Sequence, residues 1–291
     1  AKAGFQIMIF SGGEPLLRED IFDLISHARE VGLRPVLGSN GTLLTPEVVE
    51  RLKASGLMAA GISLDSLSRE AHDRLRRQEG AWQAAFNGMI HCRNAGLPFQ
   101  IHTTVMDWNE AEITHITDFA VEIGARAHHI FFLVPTGRGE EIEDQALEQR
   151  AYENVLTRIM NKAKTVPIEV KPTCAPQFIR VADQVGHKQR FAKGCLAGIS
   201  YCIISPRGDV QPCAYLDVPV GNVRDLPFDR IWQESEMFQK LRTSDYSGSC
   251  GQCGYRTSCG GCRARAAYYH RGDYMSADPL CVLNREGAGN V

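Results

Sequence analysis

Cysteine is the residue type that most clearly indicates chemistry in this 291-residue chain. Only Cys92 falls in the first 173 residues. In the remainder, two pairs have CxxC spacing with five residues between them, and a further cysteine follows eighteen residues later. Thiolates two residues apart can bind one metal centre from a single turn. The nine clustered cysteines are Cys174, Cys195, Cys202, Cys213, Cys250, Cys253, Cys259, Cys262 and Cys281.

Without Cys174, eight of these cysteines remain, which is the number needed for two centres with four cysteine ligands each. Structural zinc is one alternative, but the paired CxxC motifs of zinc ribbons usually lie about 15–20 residues apart. A disulfide scaffold is another. It is disfavoured because the first half of the chain looks like a cytosolic enzyme and no signal peptide is visible. The spacing therefore favours iron–sulfur centres, with zinc and disulfides left open.

A second candidate site is the segment SGGEP at 11–15, which directly follows a strand-like run. Its two glycines let the backbone approach a ligand closely, and the carboxylate of Glu14 can hold an ammonium group. A plain strand-to-helix turn would also explain the segment. Three later strands end in similarly polar segments, at the position where parallel α/β proteins bind ligands. These segments are Ser39-Asn40-Gly41, Ser63-Leu64-Asp65 and His102-Thr103-Thr104.

Strand-like runs alternate with amphipathic stretches as far as residue 165, which is typical of parallel βα units. Five units are visible, and they predict an α/β sheet that is either open or an incomplete barrel. A loop-rich, Cys-rich segment with one clear helix at 228–241 follows. The predicted strands are 5–10, 34–40, 59–65, 97–106 and 126–135. The predicted helices of this part are 18–31, 45–55, 69–77, 81–95, 110–124 and 141–164.

The composition is that of a globular protein with enough apolar material for a core, since 44% of the residues are hydrophobic and 23% are charged. A formal net charge of −2 gives no reason to expect a nucleic-acid partner. No apolar run reaches the roughly 18 residues of a membrane span. We expect a cytoplasmic protein.

The chain resembles a radical S-adenosylmethionine (SAM) enzyme with a SPASM domain. The resemblance depends on the segments GGEP, SNG and SLD, each of which follows a predicted strand, and on the Cys-rich tail. The cysteine spacing is the specific part, with Cys195, then Gly208 thirteen residues on, then Cys213 and the CxxC pairs. The resemblance covers nearly the whole chain. It implies a partial (β/α)6-type radical SAM barrel at 1–170 and a SPASM auxiliary-cluster domain at 171–291.

The resemblance also implies which residues bind the cofactors, SAM and [4Fe-4S] clusters. For SAM, the implied contacts are Gly12, Gly13 and Glu14 with the methionine amino group, Ser39, Ser63 and Asp65 with the ribose or the carboxylate, and Arg76 with that carboxylate. For a first auxiliary cluster, the implied ligands are Cys195, Cys213 and Cys262, with Cys202 as the fourth. For a second, they are Cys250, Cys253, Cys259 and Cys281. Cys174 is left open between an extra ligand, a substrate contact and a structural thiol.

The CxxxCxxC motif that holds the SAM-cleaving cluster in this family is absent from the sequence. In the family it follows the first strand, upstream of GGEP. Cys92 stands alone in a helical pattern and is interpreted as a buried, inert thiol. The chain begins almost at once with a strand-like run. We therefore expect the first βα unit, with the ligands of the SAM-binding cluster, to lie upstream of Ala1.

Four further segments are similar to the heme-biosynthesis branch of the family. By this resemblance, the protein would be an oxidoreductase that converts two propionates of iron-coproporphyrin III to vinyls, giving heme b, with a ferredoxin or flavodoxin as electron donor. The alternatives are removal of acetate or propionate groups from didecarboxysiroheme, modification of a ribosomal peptide, and zinc-stabilised binding without catalysis. The segments are PTGRGEE (135–141), KPTCAPQF (171–178), GCLAGISYC (194–202) and CGGCRARAAYYHRGD (259–273).

A tetrapyrrole with several carboxylates needs cationic partners, and arginine suits carboxylates through its parallel donors. His128 and His129 lie in a strand whose alternation turns one of them inward, as a substrate contact or a structural histidine. No side chain is assigned as a general base, because the implied chemistry needs none. The candidate cations, each also interpretable as a solvated surface charge, are Arg138, Lys171, Arg180, Arg263 and Arg265.

Overall fold

The computed structural model describes residues 1–188 and 190–284, which form two compact units. The second unit includes a helical segment that the sequence pattern assigns to the first domain. The predicted boundary after residue 170 stays a prediction. The first unit contains Ala1–Val105, Asn109–Phe131 and Thr165–Lys171. The second contains Met106–Trp108, Phe132–Lys164 and the described residues from Pro172 on.

The main sheet has six strands: β1 Ile7–Phe10, β2 Arg34–Ser39, β3 Ala59–Ser63, β4 Phe99–Val105, β5 Ala127–Phe132 and β6 Glu169–Thr173. Their spatial order is their order in the sequence. The pairs β1–β2, β2–β3 and β3–β4 are parallel, as the alternation of strands and helices predicts. The helices of the first unit are α1 Ile21–Glu30, α2 Pro46–Ala54, α3 Arg69–Arg76, α4 Ala81–Ala95 and α5 Ile113–Glu122.

Local sequence sets the limits of these elements. Thr45 caps α2, because its Oγ1 accepts a hydrogen bond from Val48 N at 3.3 Å, and Pro46 occupies the first helical position. In β4, alternate residues from Phe99 to Val105 are buried, and the residues between them are partly exposed on the other face. This alternation decides which strand side chains are available to a ligand.

Strand β6 was missed by the sequence prediction, which ended the alternation near residue 165. Its sequence, EVKPT, spans five residues, mixes two charges with two apolar residues and contains Pro172. Proline argues against a strand, and so short a run has little periodicity. The strand is set by its place in the sheet rather than by local pattern.

The helix predicted at 228–241 was also wrong in one respect, because it is two helices. They are α8, Phe228–Glu234, and α9, Glu236–Thr243. Ser235 between them is extended, and its hydroxyl accepts a hydrogen bond from Phe238 N as the cap of α9. The helix predicted at 141–164 likewise divides into a 3-10 segment, Gly137–Gln145, and a helix, α6, Gln149–Ala163.

The second unit combines helices with a small antiparallel sheet. Its apolar core includes Phe238 and Leu241, and four of the clustered cysteines pack against it: Cys174, Cys202, Cys213 and Cys250. Among the residues that the structure describes, no helix has both the length and the apolar character needed to cross a bilayer. The strands are β7 Ile203–Ile204, β8 Asp209–Gln211 and β9 Gly221–Asn222. The remaining helices are α6 Gln149–Ala163, α7 Phe178–Gln184, α10 Gly248–Gln252 and α11 Arg263–Tyr269.

Candidate cofactor sites

The GGEP segment lies where β1 ends, beside the end of β2. The carboxylate of Glu14 accepts hydrogen bonds from Ser39 Oγ at 2.9 and 3.0 Å and from Asn40 N at 2.8 Å. A Cβ added at Gly12 or Gly13 would meet no atom within 4 Å, so the backbone beside the carboxylate is open. The structure therefore brings four of the sequence-predicted SAM contacts to one place, with the carboxylate fixed by its neighbours.

Asp65 and Arg76 form a buried ion pair with one accessible end. Oδ2 of the fully buried Asp65 accepts hydrogen bonds from Nε and Nη2 of Arg76 at 2.7 and 2.5 Å. Its Oδ1 accepts a hydrogen bond from Thr104 N at 2.9 Å. The side chain of Arg76 is 32% exposed. Asp65 thus positions Arg76, whose guanidinium can still reach a ligand, while Ser63 is half-buried at the end of β3.

One face of the sheet, called here the histidine face, carries the stacked rings of His102 and His129, whose centroids lie 5.5 Å apart. Gly61 on the adjacent strand provides the room, since a Cβ there would overlap the His102 ring. Nε2 of His129 lies 3.3 Å from Glu169 Oε1. Burial, with smaller effects from His129 and Arg76, lowers the pKa of His102 to about 3, so this ring is neutral near pH 7.

His128 points to the opposite face of the sheet, as alternation requires of one of the two adjacent histidines. Its Nδ1 lies 2.9 Å from Thr117 Oγ1, and its Nε2 lies 2.9 Å from Thr103 Oγ1. Burial, together with His129 and His102, lowers its pKa to about 3. His128 is therefore a neutral, fully hydrogen-bonded core residue.

The four cysteines assigned by resemblance to the second auxiliary cluster line one pocket in the second unit: Cys250, Cys253, Cys259 and Cys281. Three of their sulfurs accept a backbone N–H, at 3.4 Å in Cys250 and Cys253 and at 3.5 Å in Cys259. Such hydrogen bonds stabilise the thiolate form of cysteine and, when a cluster is bound, influence its reduction potential. Burial is the largest influence on the pKa of the Cys281 thiol and raises it to about 11.

The glycines of Cys259-Gly-Gly-Cys262 shape this pocket. Gly261 has φ +62, and a Cβ there would lie 2.7 Å from Asp278 Cβ and 3.3 Å from Cys250 Sγ. Gly260 has φ +72, and its Cβ would lie 2.9 Å from the Tyr246 hydroxyl. Only glycine satisfies both the left-handed backbone and the close approach.

Cys195, Cys213 and Cys262 form a separate group in the same unit. Burial, with smaller effects from Cys262 and Cys195, raises the pKa of Cys213 to about 12, so Cys262 and Cys195 lie within electrostatic reach of Cys213. Burial alone raises the pKa of Cys202 to about 11. The Cys202 side chain packs against the same core cluster as Cys213, and that cluster includes Cys262.

No three His, Cys, Asp or Glu side chains in residues 1–188 and 190–284 converge closely enough to hold one metal ion. Ligands of a [4Fe-4S] cluster bind its separate iron corners and so surround a body of several atoms, not one ion. The ligand roles of the eight cysteines stay a prediction. Cys92 is buried within α4, where burial raises its pKa to about 12, in keeping with an inert thiol.

Three of the candidate substrate-binding cations are not surface charges, which corrects one of the two readings given to them. Arg263 and Arg265 are fully buried, and Arg180 is 3% exposed. Arg265 donates to the Asp278 carboxylate at 2.8 Å through Nε and Nη2, and Arg180 donates to the Glu153 carboxylate at 2.7 and 2.6 Å. Arg265 and Arg180 are committed to internal ion pairs. Arg138 is exposed, and Lys171 is half-buried.

Asp278 is the residue of this region that sequence reasoning missed. Its Oδ2 accepts hydrogen bonds from Cys262 N at 2.7 Å and Gln177 Nε2 at 2.8 Å, and its own N–H donates to Cys250 Sγ at 3.4 Å. Burial by itself would raise the pKa of Asp278, but Arg265 and the hydrogen bonds hold it below its ordinary value. No motif marks this aspartate, and its proximity to Cys250 and Cys262 is a tertiary property.

Comparison with known families agrees with this geometry. The profile of the radical SAM superfamily matches residues 1–120, which include the GGEP segment and the Asp65–Arg76 pair. The SPASM profile, described as an iron–sulfur cluster-binding domain, matches residues 195–254.

The relatives are similar along almost the whole chain. The AdoMet-dependent heme synthase of Methanosarcina barkeri is 43% identical, over 97% of this chain and 84% of the relative. That of Nitratidesulfovibrio vulgaris is 43% identical, over 96% and 79%. The Fe-coproporphyrin III synthase of Methanosarcina barkeri is 31% identical, over 99% and 78%.

Solved structures share the fold at low identity. Streptococcus suis SuiB bound to S-adenosylmethionine has a TM-score of 0.72 at 15% identity, covering 95% of this chain and 66% of that one. Histidine-tagged anSMEcpe with bound AdoMet has a TM-score of 0.72 at 14% identity, covering 98% and 78%. These similarities confirm the fold class, a partial radical SAM barrel followed by a SPASM domain.

The sheet order, the two profile matches and the long match to the heme synthases define the class: the chain belongs to the radical SAM superfamily, among the members with a SPASM domain. SAM and [4Fe-4S] clusters are the cofactors of this class. Its relatives specify it further, as a radical SAM enzyme of heme biosynthesis.

Proposed function

We propose that this protein is an oxidative decarboxylase that converts two propionates of iron-coproporphyrin III to vinyls and thereby makes heme b. The observation that carries the proposal is the 43% identity to two heme synthases, against 31% to the Fe-coproporphyrin III synthase. In the reaction, each propionate loses CO2, one hydrogen atom and one electron. An auxiliary cluster would accept that electron.

At the site formed by the GGEP segment and the Asp65–Arg76 pair, the chain's own residues would bind and orient SAM. SAM with its reduced cluster supplies the radical that removes the hydrogen atom. Glu14, held by Ser39 and Asn40, would accept hydrogen bonds from the methionine ammonium group beside Gly12 and Gly13. Arg76 would bind the methionine carboxylate, as its accessible guanidinium and its anchoring by Asp65 allow.

Ser39 and Ser63, at the ends of β2 and β3, are proposed to contact the ribose or the carboxylate of SAM. Asp65 was predicted to do the same. Because the Asp65 carboxylate is fully buried, we propose that it contributes to SAM binding indirectly, by positioning Arg76.

The histidine face offers the flat, stacked rings of His102 and His129, and we propose that the tetrapyrrole or the adenosyl group packs there.

For the second auxiliary cluster, the shared pocket, the N–H groups on three sulfurs and the two crowded glycines all suit Cys250, Cys253, Cys259 and Cys281 as ligands. For the first, Cys195, Cys213 and Cys262 are proposed as ligands, with Cys202 as the sequence candidate for the fourth position. The enzyme would work in the cytoplasm with a ferredoxin or flavodoxin as donor.

The reaction can be tested by anaerobic incubation of the protein with SAM, dithionite and iron-coproporphyrin III. We expect heme b, detected by mass spectrometry as the loss of two CO2 per tetrapyrrole, and 5′-deoxyadenosine as a co-product. A mixture without SAM is the control. Turnover of didecarboxysiroheme, with none of iron-coproporphyrin III, would refute the proposal in favour of the alternative reaction, the removal of acetate or propionate groups.

A further inference from the structure

Cys174 directly follows β6 and is the clustered cysteine that both implied ligand sets leave out. Its side chain packs against the core cluster of the second unit that includes Cys262, and Cys202, Cys213 and Cys250 pack against the same cluster. Its backbone has φ +59, a left-handed conformation that residues other than glycine rarely adopt. The surrounding structure therefore holds this residue in one particular orientation.

The loop that carries Cys174 lies against the chain that carries Cys195. Two residues beyond Cys174, Pro176 packs on Gly194, where an added Cβ would lie 2.7 Å from the Cα, Cβ and O atoms of Pro176. Gly194 immediately precedes Cys195. The glycine thus permits a backbone contact that brings these two cysteine-bearing segments together.

Arg265 connects the same loop to Cys262. Its Nη1 donates to the carbonyl oxygen of Cys174 at 3.1 Å, and its Nε and Nη2 each donate to the Asp278 carboxylate at 2.8 Å. That carboxylate also accepts the N–H of Cys262 at 2.7 Å. Arg265 and Asp278 are both fully buried, so a rigid internal ion pair fixes the backbone of Cys174 relative to that of Cys262.

The thiols show the same grouping. Burial raises the pKa of Cys174 well above its ordinary value, and the nearby Cys262, Cys213 and Cys195 raise it further. Four thiols, one of them Cys174, therefore lie within electrostatic reach of one another. Cys202 packs against the same core cluster, so the backbone contacts of the Cys174 loop with the segments that carry Cys195 and Cys262 distinguish the two cysteines.

We propose that Cys174, and not Cys202, supplies the fourth protein thiolate of the first auxiliary [4Fe-4S] cluster, together with Cys195, Cys213 and Cys262. The inference rests on the proposed function, because it requires that this group binds an iron–sulfur cluster. Such a cluster takes one thiolate at each of its irons. Metal binding also explains why four thiols are grouped here, since each can serve as a thiolate ligand.

Three single variants test the assignment: Cys174→Ala, Cys202→Ala and, as a matched control, Cys92→Ala. Each protein is prepared anaerobically, supplied with iron and sulfide, and measured by iron analysis, Mössbauer spectroscopy and EPR. We expect Cys174→Ala to lose the first auxiliary cluster or to keep it only in a three-iron form, with auxiliary iron falling by up to about half. Cys202→Ala and Cys92→Ala should keep the wild-type iron content.

Cys174→Ser distinguishes ligation from a folding defect. Its hydroxyl can replace the thiolate, so we expect a retained four-iron cluster with a changed EPR spectrum. Full iron content in Cys174→Ala, or an equal or larger loss in Cys202→Ala, would overturn the inference and leave cluster binding intact. Wild-type protein that takes up stoichiometric zinc and no iron would instead refute the proposed function.

Discussion

At the scale of single residues, Asp65 and Arg76 divide one task between them. Both were singled out from the sequence, but only the structure shows that the carboxylate is enclosed and the guanidinium accessible. The resemblance to the radical SAM family could predict that both belong near SAM. Which of the two faces a ligand depends on burial, and burial depends on strands that are distant in sequence, such as the one that contributes Thr104 N.

Asp65→Asn should weaken SAM binding because it removes the charge that positions Arg76. We expect roughly tenfold weaker binding, equivalent to about 1.4 kcal/mol, measured by anaerobic calorimetry on the loaded enzyme. The double variant Asp65→Asn/Arg76→Met should bind no more weakly than Arg76→Met alone. Asp20→Asn, which removes an exposed partner of Arg18, is the control and should leave affinity unchanged. Additive losses in the double variant would contradict the positioning role.

At the scale of elements, the sequence predicts the strands that have a regular hydrophobic pattern and misses features that have none. The five predicted strands are all present, with bounds within a few residues, because each has a clear run of apolar or alternating residues. Strand β6 lacks such a run, and the break at Ser235 depends on one capping hydroxyl. The loop between Cys259 and Cys262 was predicted as a ligand turn, but its crowding against Asp278 and Tyr246 could not be.

That crowding makes Gly261 a sensitive position. Gly261→Ala would place a methyl group 2.7 Å from Asp278 Cβ at a left-handed backbone position, which should cost about 1–3 kcal/mol of stability. We also expect less iron at the pocket of Cys250, because the methyl group approaches its sulfur. Gly254→Ala, where an added Cβ has no neighbour within 4 Å, is the matched control. The iron content and thermal stability of both variants test this prediction. Equal iron content and equal stability in Gly261→Ala and Gly254→Ala would refute the steric argument.

At the scale of the whole molecule, cysteine usage follows the two profile matches. Nine of ten cysteines lie from residue 174 onward, and the radical SAM profile covers the cysteine-poor beginning. The spacing of those cysteines, together with the GGEP, SNG and SLD segments, supported the resemblance that predicted the class, and the alternation of strands and helices predicted the α/β fold. The spacing could not favour Cys174 as a ligand over the other roles left open for it, because the contacts of its loop with Arg265 and Gly194 are tertiary contacts and not a local pattern.

The free energy of unfolding of the molecule should decrease at acidic pH because of its buried histidines. The pKa of His128 is about 3 in the folded protein, against an ordinary value of 6.5. Between these values the unfolded chain binds a proton that the folded protein does not, so the free energy of unfolding falls as pH drops from about 6.5 towards 3. His102 acts in the same direction.

At pH 5, His128 should account for a loss of about 2 kcal/mol relative to pH 7, because one pKa unit corresponds to about 1.4 kcal/mol. The stability difference between wild type and His128→Asn, measured by urea unfolding, should therefore narrow by about that amount from pH 7 to pH 5. His27→Asn, at an exposed histidine, should show no such narrowing. A difference for His128→Asn that stays constant with pH would show that this histidine titrates normally.

Asp278 has a consequence for electron flow. Its amide contacts a sulfur of one cysteine group through Cys250, and its carboxylate contacts the amide of Cys262 in the other. With clusters bound as proposed, gaining an electron at one centre changes the polarisation of a residue that also touches the other. The reduction potentials of the two centres would then be linked, and reducing one would make reduction of the other harder. A pair linked in this way would pass single electrons onward and resist storing two.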